Sequence, residues 1–270
     1  MTRLAGADRL AEATHVAGAD RLERAIRRAT DSGRPALAAF LTAGFPEPKG
    51  FADLLRAVSD AAEIVEIGVP FSDPMADGVT IQESSRRALE YGVTLGWILE
   101  TVARARSSTP VVLMSYLNPL LARGLAGFAR QAAEVGVAGL IVPDLPYEEC
   151  GPLRSALSGV GVALIQLVTP ITPPERLRLL CTASDGFVYA VTTAGTTGGD
   201  TDSGQTLRGY LDRVQAASPV PVLAGFGIRS AGQVREIAGH TDGIIVGSAL
   251  IEVLRRGEDP AAFLRRLRDG

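Results

Sequence analysis

The chain has 270 residues, of which 46% are hydrophobic and 21% charged, enough apolar side chain for one large α/β domain and too much for global disorder. The formal net charge of −3 argues against a nucleic-acid-binding surface. Two cysteines without CxxC spacing exclude a disulfide framework, and the absence of an apolar run of about 20 residues excludes a membrane span.

The first 34 residues are polar and have a helical pattern. The hexapeptide AGADRL occurs at Ala5–Leu10 and again at Ala17–Leu22, which is too few copies for a repeat fold. We expect residues 1–34 to form an N-terminal extension, partly helical, whose second half packs over the bottom of the domain that follows. Charged residues interrupt the segment, so it does not resemble a signal peptide, and we expect a cytoplasmic protein.

From Pro35 onward, short apolar runs alternate with amphipathic segments of helical periodicity. The runs are Ala36–Leu41, Ile64–Ile67, Val111–Ser115, Gly139–Val142, Ala163–Leu167, Gly186–Ala190, Val220–Ala224 and Gly243–Val246. Eight such units predict a single (β/α)8 barrel, a TIM barrel, over residues 35–270. Reactive groups of a TIM barrel lie at the carboxyl ends of its strands, so candidate residues are sought there.

An acidic residue interrupts the second apolar run, Ile64-Val65-Glu66-Ile67. Burying a carboxylate on a barrel strand costs several kcal/mol unless it has partners or a raised pKa. Strand alternation lets Glu66 point into the barrel if Val65 and Ile67 face the helices. We therefore expect Glu66 to take part in chemistry.

The loop after this strand carries two further acids. Asp73 precedes a proline, as a turn residue or helix cap often does, and Asp77 lies four residues later. An embedded acid and a loop acid make a pair of proton carriers with separated pKa values. Composition alone does not decide which of the two aspartates is the partner of Glu66.

Two glycine-containing turns follow the last predicted strands, Ala224-Gly-Phe-Gly-Ile-Arg229 and Val246-Gly-Ser-Ala249. Each turn closes a strand and opens a helix, where backbone N–H groups and the helix N-terminus favour a phosphate. TIM barrels commonly bind phosphate after strands seven and eight. The two turns together predict a phosphate site.

The segment EIGVPFSDPMADGVTIQ, residues 66–82, resembles the signature of tryptophan synthase α subunits. That resemblance implies that Glu66 is the catalytic general acid and base and that Asp77 is the acid that receives the indole N–H. It places Asp73 and Pro74 on the loop that meets the β subunit. One departure is Val79, where the family usually has proline, which should loosen this loop.

The resemblance extends over most of the chain, through AFLTAGFP, VLMSYLNP and VPDLPYEE. It implies a substrate pocket lined by Phe40, Met114, Tyr116, Tyr189 and Thr197. It also implies a phosphate site formed by Gly198, Gly227, Gly247 and Ser248. The sixth loop departs most, because Gly199-Asp200-Thr201-Asp202 is more acidic than the family pattern. That departure bears on coupling to a β subunit more than on the chemistry.

Elimination leads to the same chemistry. The single lysine, Lys49, follows the first strand, and the two histidines, His15 and His240, belong to no cluster, so neither a Schiff base nor a metal is expected. Indole-3-glycerol phosphate supplies its own electron sink once indole C3 is protonated. The resemblance thus implies cofactor-free cleavage to indole and glyceraldehyde 3-phosphate.

Three other functions stay open at this point. One is an isomerase or epimerase of sugar phosphates, which would need acids on other strands. The second is a stand-alone lyase that releases free indole. The third is a weakly catalytic subunit that activates a PLP-dependent β subunit.

Overall fold

The computed structural model describes residues 4–192, 203–225 and 227–269, and it describes side-chain surroundings for residues 18–192, 206–225 and 227–268. Eight parallel strands close into a barrel in the order β1-β2-β3-β4-β5-β6-β7-β8. The strands are β1 Ala36–Thr42, β2 Ile64–Gly68, β3 Val111–Met114, β4 Val137–Ile141, β5 Ala163–Val168, β6 Val188–Val191, β7 Val222–Gly225 and β8 Gly243–Val246. The predicted TIM barrel is confirmed.

Helices follow the strands and form an outer ring. Within the described residues they are α1 Leu4–Asp31, α2 Phe51–Ser59, α3 Val79–Glu90, α4 Leu95–Ala105, α5 Leu117–Arg123, α6 Leu125–Glu134, α7 Gly151–Ser158, α8 Pro174–Ala183, α9 Ser203–Ala217, α10 Ala231–Glu236, α11 Ser248–Arg255 and α12 Pro260–Asp269. A 3₁₀ turn, Tyr147–Glu149, precedes α7. Connections β2–β3 and β3–β4 each carry two helices, where the sequence pattern predicted one amphipathic segment.

The strand ends differ from the predicted apolar runs by at most two residues, and glycine explains two of the differences. β4 begins at Val137, directly after Gly136, whose φ is 85°. β6 begins at Val188, because Gly186 has a φ of 77°. A left-handed glycine breaks the extended backbone, so the strand starts after it.

Helix α1 lies across the amino-terminal end of the barrel. Leu22, Ile26 and Ala29 are fully buried and join the inner cluster that also contains Ala38 and Val112. The bottom of the barrel is therefore covered by the second half of α1. The division of the chain at residue 34 stays a prediction, since α1 and the barrel share this core.

The inner and outer faces of the strands alternate. Val65 and Ile67 pack in the outer layer against the helices, whereas Ile64 belongs to the inner cluster. Glu66 lies between Phe40 of β1 and Val112 of β3 in the sheet register. This alternation places the Glu66 side chain inside the barrel, as its sequence position predicted.

Candidate functional site

A pocket, which we call the mouth pocket, opens at the carboxyl ends of the strands. Residues from β1, β2, β3, β6 and β8 line it together with the loops that follow β2, β7 and β8. Its lining residues are Phe40, Glu66, Asp77, Ile81, Met114, Tyr189, Gly227, Ile228, Arg229, Ile245, Gly247, Ser248 and Ala249. The structure thus brings most of the sequence-predicted site residues into one pocket.

Glu66 is the most deeply buried acid of the mouth pocket. Its side chain is 1% exposed, and Oε1 has no hydrogen-bond partner among the residues that the structure describes. Burial, and secondarily the negative charge of Asp77, raise the pKa of Glu66 to about 8. Glu66 is therefore a neutral carboxylic acid at pH 7, with a proton available to a bound molecule.

Asp77 lies across the pocket on the loop between β2 and α3. The Tyr116 hydroxyl donates to Asp77 Oδ2 at 3.2 Å, and the Gln82 side-chain amide donates to the Asp77 backbone oxygen at 2.9 Å. Burial raises the pKa of Asp77 to about 6, although the bond from Tyr116 lowers it. Asp77 is therefore mostly ionised at pH 7 and accepts hydrogen bonds.

Tyr116 supports the loop and does not line the mouth pocket. Its oxygen accepts a hydrogen bond from the backbone N–H of Ala76 at 2.9 Å, and its ring stacks on Phe71 at 5.0 Å. The resemblance had implied a pocket wall at this position. In the structure the Tyr116 hydroxyl contacts the Asp77 carboxylate and sets its position.

Two strand-end glycines make room for the aromatic walls of the mouth pocket. A Cβ on Gly68 would lie 2.5 Å from Phe40 Cζ, and a Cβ on Gly225 would lie 2.5 Å from the Tyr189 hydroxyl oxygen. Neither distance is compatible with a side chain. The two rings therefore occupy space that any other residue at positions 68 and 225 would fill.

The predicted phosphate residues of the described chain lie in the loops after β7 and β8 and line the same pocket as Asp77. Gly227 has a φ of 85°, and Gly247 immediately precedes α11, whose first residue is Ser248. The backbone N–H groups at the start of α11 lie at the pocket end that Gly247 and Ser248 line. Thr197 and Gly198 lie outside the described residues.

The arginine after β7 also lines the pocket. Arg229 is exposed at the rim, and its backbone N–H donates to Gln233 Oε1 at 2.8 Å. The sequence shows it only as a nearby cation at a helix start. The structure places it among the residues that line the mouth pocket, together with Gly247 and Ser248.

The structure distinguishes the two loop aspartates. Asp73 is exposed and accepts a hydrogen bond from the Ser72 hydroxyl at 2.5 Å, whereas Asp77 faces the mouth pocket with Glu66. Pro74 lies beside Asp73, and its backbone oxygen accepts from Gln82 at 3.4 Å. Asp73 and Pro74 are not among the residues that line the mouth pocket.

Sequence reasoning missed four apolar walls, namely Ile81, Ile228, Ile245 and Ala249. Each occupies a position that is typical of ordinary core, and no residue type signals its role. Among the described residues, no group of three or more His, Cys, Asp or Glu side chains is arranged to hold a metal. No helix in the described part of the chain is long and apolar enough to cross a membrane.

The arrangement suits acid–base chemistry on a substrate with an apolar ring and an anionic end. A neutral acid and a carboxylate face one largely apolar pocket, and the N-terminus of α11 lines the same pocket. Separated pKa values of this kind assign one group as proton donor and the other as acceptor.

Comparisons with known proteins agree with this description. Residues 26–268 match the family model described as Tryptophan synthase alpha chain. The tryptophan synthase alpha chain of Nitratidesulfovibrio vulgaris strain DP4 is 46% identical over 246 residues, which cover 90% of this chain and 96% of that protein. The alpha chain of Bacillus cereus is 44% identical over 232 residues, covering 85% and 90% of the two proteins.

Solved structures show the same fold. A chain in the aminoacrylate-bound crystal structure of tryptophan synthase from M. tuberculosis superposes with a TM-score of 0.83 at 35% identity, covering 92% of this chain and 97% of that one. Tryptophan synthase subunit alpha from Legionella pneumophila superposes with a TM-score of 0.82 at 32% identity, with coverage of 92% and 97%.

Proposed function

The chain belongs to the tryptophan synthase alpha chain family, lyases that cleave indole-3-glycerol phosphate, and we propose that Glu66 and Asp77 carry out this cleavage here. One observation carries the proposal. A buried carboxyl with a pKa of about 8 and a second with a pKa of about 6 face the same pocket. At neutral pH they provide one proton and one negative charge.

Glu66 acts first as a general acid. It gives its proton to C3 of the indole ring, which turns the ring into an electron sink. The hydroxyl proton on the adjacent side-chain carbon then leaves to Glu66, a C=O bond forms, and the carbon–carbon bond to C3 breaks. The electron pair returns to the ring, so the products are indole and glyceraldehyde 3-phosphate, and Glu66 regains its proton.

Asp77 stabilises the charged intermediate of this sequence. Protonation of C3 leaves positive charge at the ring N–H, and the Asp77 carboxylate accepts a hydrogen bond from that group. A charge-assisted hydrogen bond is about twice as strong as a neutral one. Tyr116, which donates to Oδ2 at 3.2 Å, keeps the carboxylate in place for this contact.

The aromatic walls and the glycine loops of the mouth pocket support the same substrate. Phe40, Met114 and Tyr189 provide apolar surface for an indole ring. Backbone N–H groups near Gly227, Gly247 and Ser248 bind the phosphate. The same proposal gives Gly198 to the phosphate and Thr197 to the rest of the substrate. No cofactor takes part in the proposed steps.

A β subunit is the proposed partner, bound at the loop that carries Asp73 and Pro74. Two large apolar side chains of this region, Met75 and Val79, are 88% and 70% exposed. Apolar surface this exposed is typical of a protein interface. Because Asp77 belongs to the same loop, a bound partner acts directly on the second acid.

A coupled assay tests the proposal with the purified chain alone. Indole is measured by chromatography and glyceraldehyde 3-phosphate by NAD⁺ reduction with its dehydrogenase, for the wild type and for Glu66→Gln. Glu100→Gln, at an exposed helical position, is the matched control. Equal amounts of both products from the wild type and the control, and none from Glu66→Gln, support the proposal; wild-type turnover in Glu66→Gln contradicts it.

The same assay with added β subunit separates the remaining alternatives. A wild-type chain that turns over fully alone, and forms no complex in size-exclusion chromatography, is a stand-alone lyase. A chain with little turnover that still raises β-subunit activity is an activator. The intact acid pair of the mouth pocket favours retained catalysis over the activator function.

A further inference from the structure

A second cavity, which we call the side cavity, lies on the outer side of the barrel. It has a volume of about 240 Å³ and lies between strand β5, the loop after β4, the 3₁₀ turn and α8. Its lining residues are Val142, Pro143, Leu145, Pro146, Tyr147, Cys150, Leu164, Ile165, Gln166, Leu167, Thr172, Arg176 and Leu180. None of these residues lines the mouth pocket.

Gln166 is a polar residue in the mostly apolar layer between β5 and the surrounding helices. Its neighbours Ile165 and Leu167 pack into the barrel interior, so Gln166 faces outward with Leu164. Gln166 is 8% exposed, and its backbone N–H donates to Ser184 Oγ at 2.9 Å. Within the described part of the chain, its side-chain amide makes no hydrogen bond.

This amide opens onto the side cavity, because Glu66 Oε1 is the one fully enclosed side-chain oxygen or nitrogen without a partner among the described residues. The amide can therefore form a hydrogen bond with a molecule in the cavity, which an apolar residue at this position could not do. The side cavity is far larger than the roughly 30 Å³ that one water molecule occupies in the liquid. Its size and its single uncommitted amide therefore fit a small organic molecule.

The other polar groups of the side cavity show which charge that molecule carries. Arg176, its only charged residue among those described, is paired through two hydrogen bonds with Glu148, at 2.6 and 3.1 Å. The Thr172 hydroxyl is engaged with Thr169 at 2.9 and 3.1 Å. The remaining walls are apolar apart from the Tyr147 hydroxyl and the Cys150 thiol. No unpaired charged residue lines the cavity to bind an anion, so a neutral ligand fits best.

We propose that the side cavity is a second binding site for a neutral, planar heteroaromatic molecule with a ring N–H, from which the Gln166 carbonyl oxygen accepts a hydrogen bond. Tyr147, Pro143 and Leu180 contact the ring faces. Indole, which the cleavage reaction releases, belongs to this class, so the site would respond to product. The proposal does not depend on the roles given to Glu66 and Asp77.

Crystals soaked with 5-bromoindole test the site directly, since bromine gives an anomalous signal. We expect one bromine in the side cavity of the wild type and none there in Gln166→Met, which keeps the side-chain length without the amide. A side cavity that holds only water in the wild type, or bromine that persists in Gln166→Met, overturns the proposal.

Calorimetry with indole in solution provides a second test. The wild type should show one more site than Gln166→Met, with at least a tenfold loss of affinity at that site in the variant. Arg176→Gln should change that affinity less than twofold, and indole-3-carboxylate should not bind there, because the ligand is neutral. Equal stoichiometry in the wild type and Gln166→Met means binding at crystal concentration only and contradicts the proposal.

Cleavage activity checks that Gln166→Met is folded. Gln166 lies outside the mouth pocket, so kcat and KM for indole-3-glycerol phosphate should match the wild type. If cleavage fails in the wild type but 5-bromoindole still occupies the side cavity, the proposed function is wrong and the second site stands.

Discussion

The Tyr116 hydroxyl donates to Asp77 Oδ2 at 3.2 Å while its oxygen accepts from the neighbouring Ala76 N–H at 2.9 Å. One side chain from the end of β3 thus holds both the carboxylate and the backbone of the loop after β2. Because Glu66 is fixed on a strand, the geometry of the acid pair depends on how firmly this loop is held.

The acid pair predicts a bell-shaped pH dependence of kcat/KM. Activity should rise as Asp77 loses its proton near its pKa of about 6 and fall as Glu66 loses its proton near its pKa of about 8. A pH series of single-turnover or steady-state rates, with the fold monitored by circular dichroism, measures both limbs. A flat profile between pH values of about 5 and 9 would exclude this pair of acids.

Tyr116→Phe should move the acidic limb of that profile to higher pH. The hydroxyl stabilises the ionised form of Asp77 and so lowers its pKa, and removing it raises that pKa. The basic limb, which reports Glu66, should stay where it is. A loss of activity with both limbs unmoved would mean that Tyr116 has a role other than holding this carboxylate.

Glu66→Gln should abolish cleavage and stabilise the fold at alkaline pH. General acid–base groups contribute on the order of 10²–10⁴-fold, and Glu66 acts in both senses. Because the folded state raises the pKa of Glu66 from 4.5 to about 8, the folded state holds the proton more tightly. The free energy of unfolding of the wild type therefore falls as pH rises from about 4.5 to 8.

Urea unfolding at pH values of about 5 and about 8 measures that second effect. The wild type should lose a few kcal/mol, an order-of-magnitude value from linkage, between the two pH values. Glu66→Gln should lose much less, since glutamine has no proton to release. Equal pH dependence in the two proteins would show that the pKa of Glu66 is not raised.

Asp77→Asn should reduce turnover of the isolated chain by about 10²-fold or more, the scale of one catalytic charge. Asp73→Asn should leave isolated turnover within twofold, because Asp73 is exposed and does not line the mouth pocket. Its effect should appear only as a reduced response to the β subunit. If Asp73→Asn lost turnover as the isolated chain, Asp73 and not Asp77 would be the second acid of the pocket.

Gly247→Ala should raise KM for indole-3-glycerol phosphate at least tenfold. A Cβ at this position would lie 3.7 Å from Phe40, an ordinary contact, so the variant should fold and the added methyl group should only obstruct the phosphate. Arg229→Ala should have a smaller effect, because its guanidinium lies at the exposed rim. A larger KM change in Arg229→Ala would mean that the side chain, not the backbone, holds the phosphate.

The barrel is well predicted from the sequence because buried parallel strands are short apolar runs. All eight runs correspond to strands, and deviations arise at Gly136 and Gly186, whose positive φ values a sequence pattern does not reveal. Glu66 is predictable as an inward acid because burying a carboxyl group on an apolar strand is costly unless the group takes part in chemistry. The structure was needed to decide which of the two loop aspartates, Asp73 or Asp77, faces the pocket, since residue type does not show which side of a loop does so.

The walls of the pocket were less predictable. Ile81 and Ile245 line it, yet an isoleucine at a strand or helix position has the same sequence signal in any core. Gln166 lies within a predicted strand, and the sequence pattern does not distinguish it, because a single amide is common on a half-buried strand. Only the absence of a partner for it, which is a property of three-dimensional packing in the described part of the chain, makes it informative.

Gly68 and Gly225 limit the positions at which the size of the mouth pocket can change, in redesign or in evolution. Their missing side chains admit the rings of Phe40 and Tyr189, so a larger substrate is accommodated by shortening a ring and not by altering the glycines. Any other residue at either glycine displaces a ring and narrows the pocket. Variation in substrate size among descendants of this chain should therefore concentrate at positions 40 and 189, with the two glycines retained.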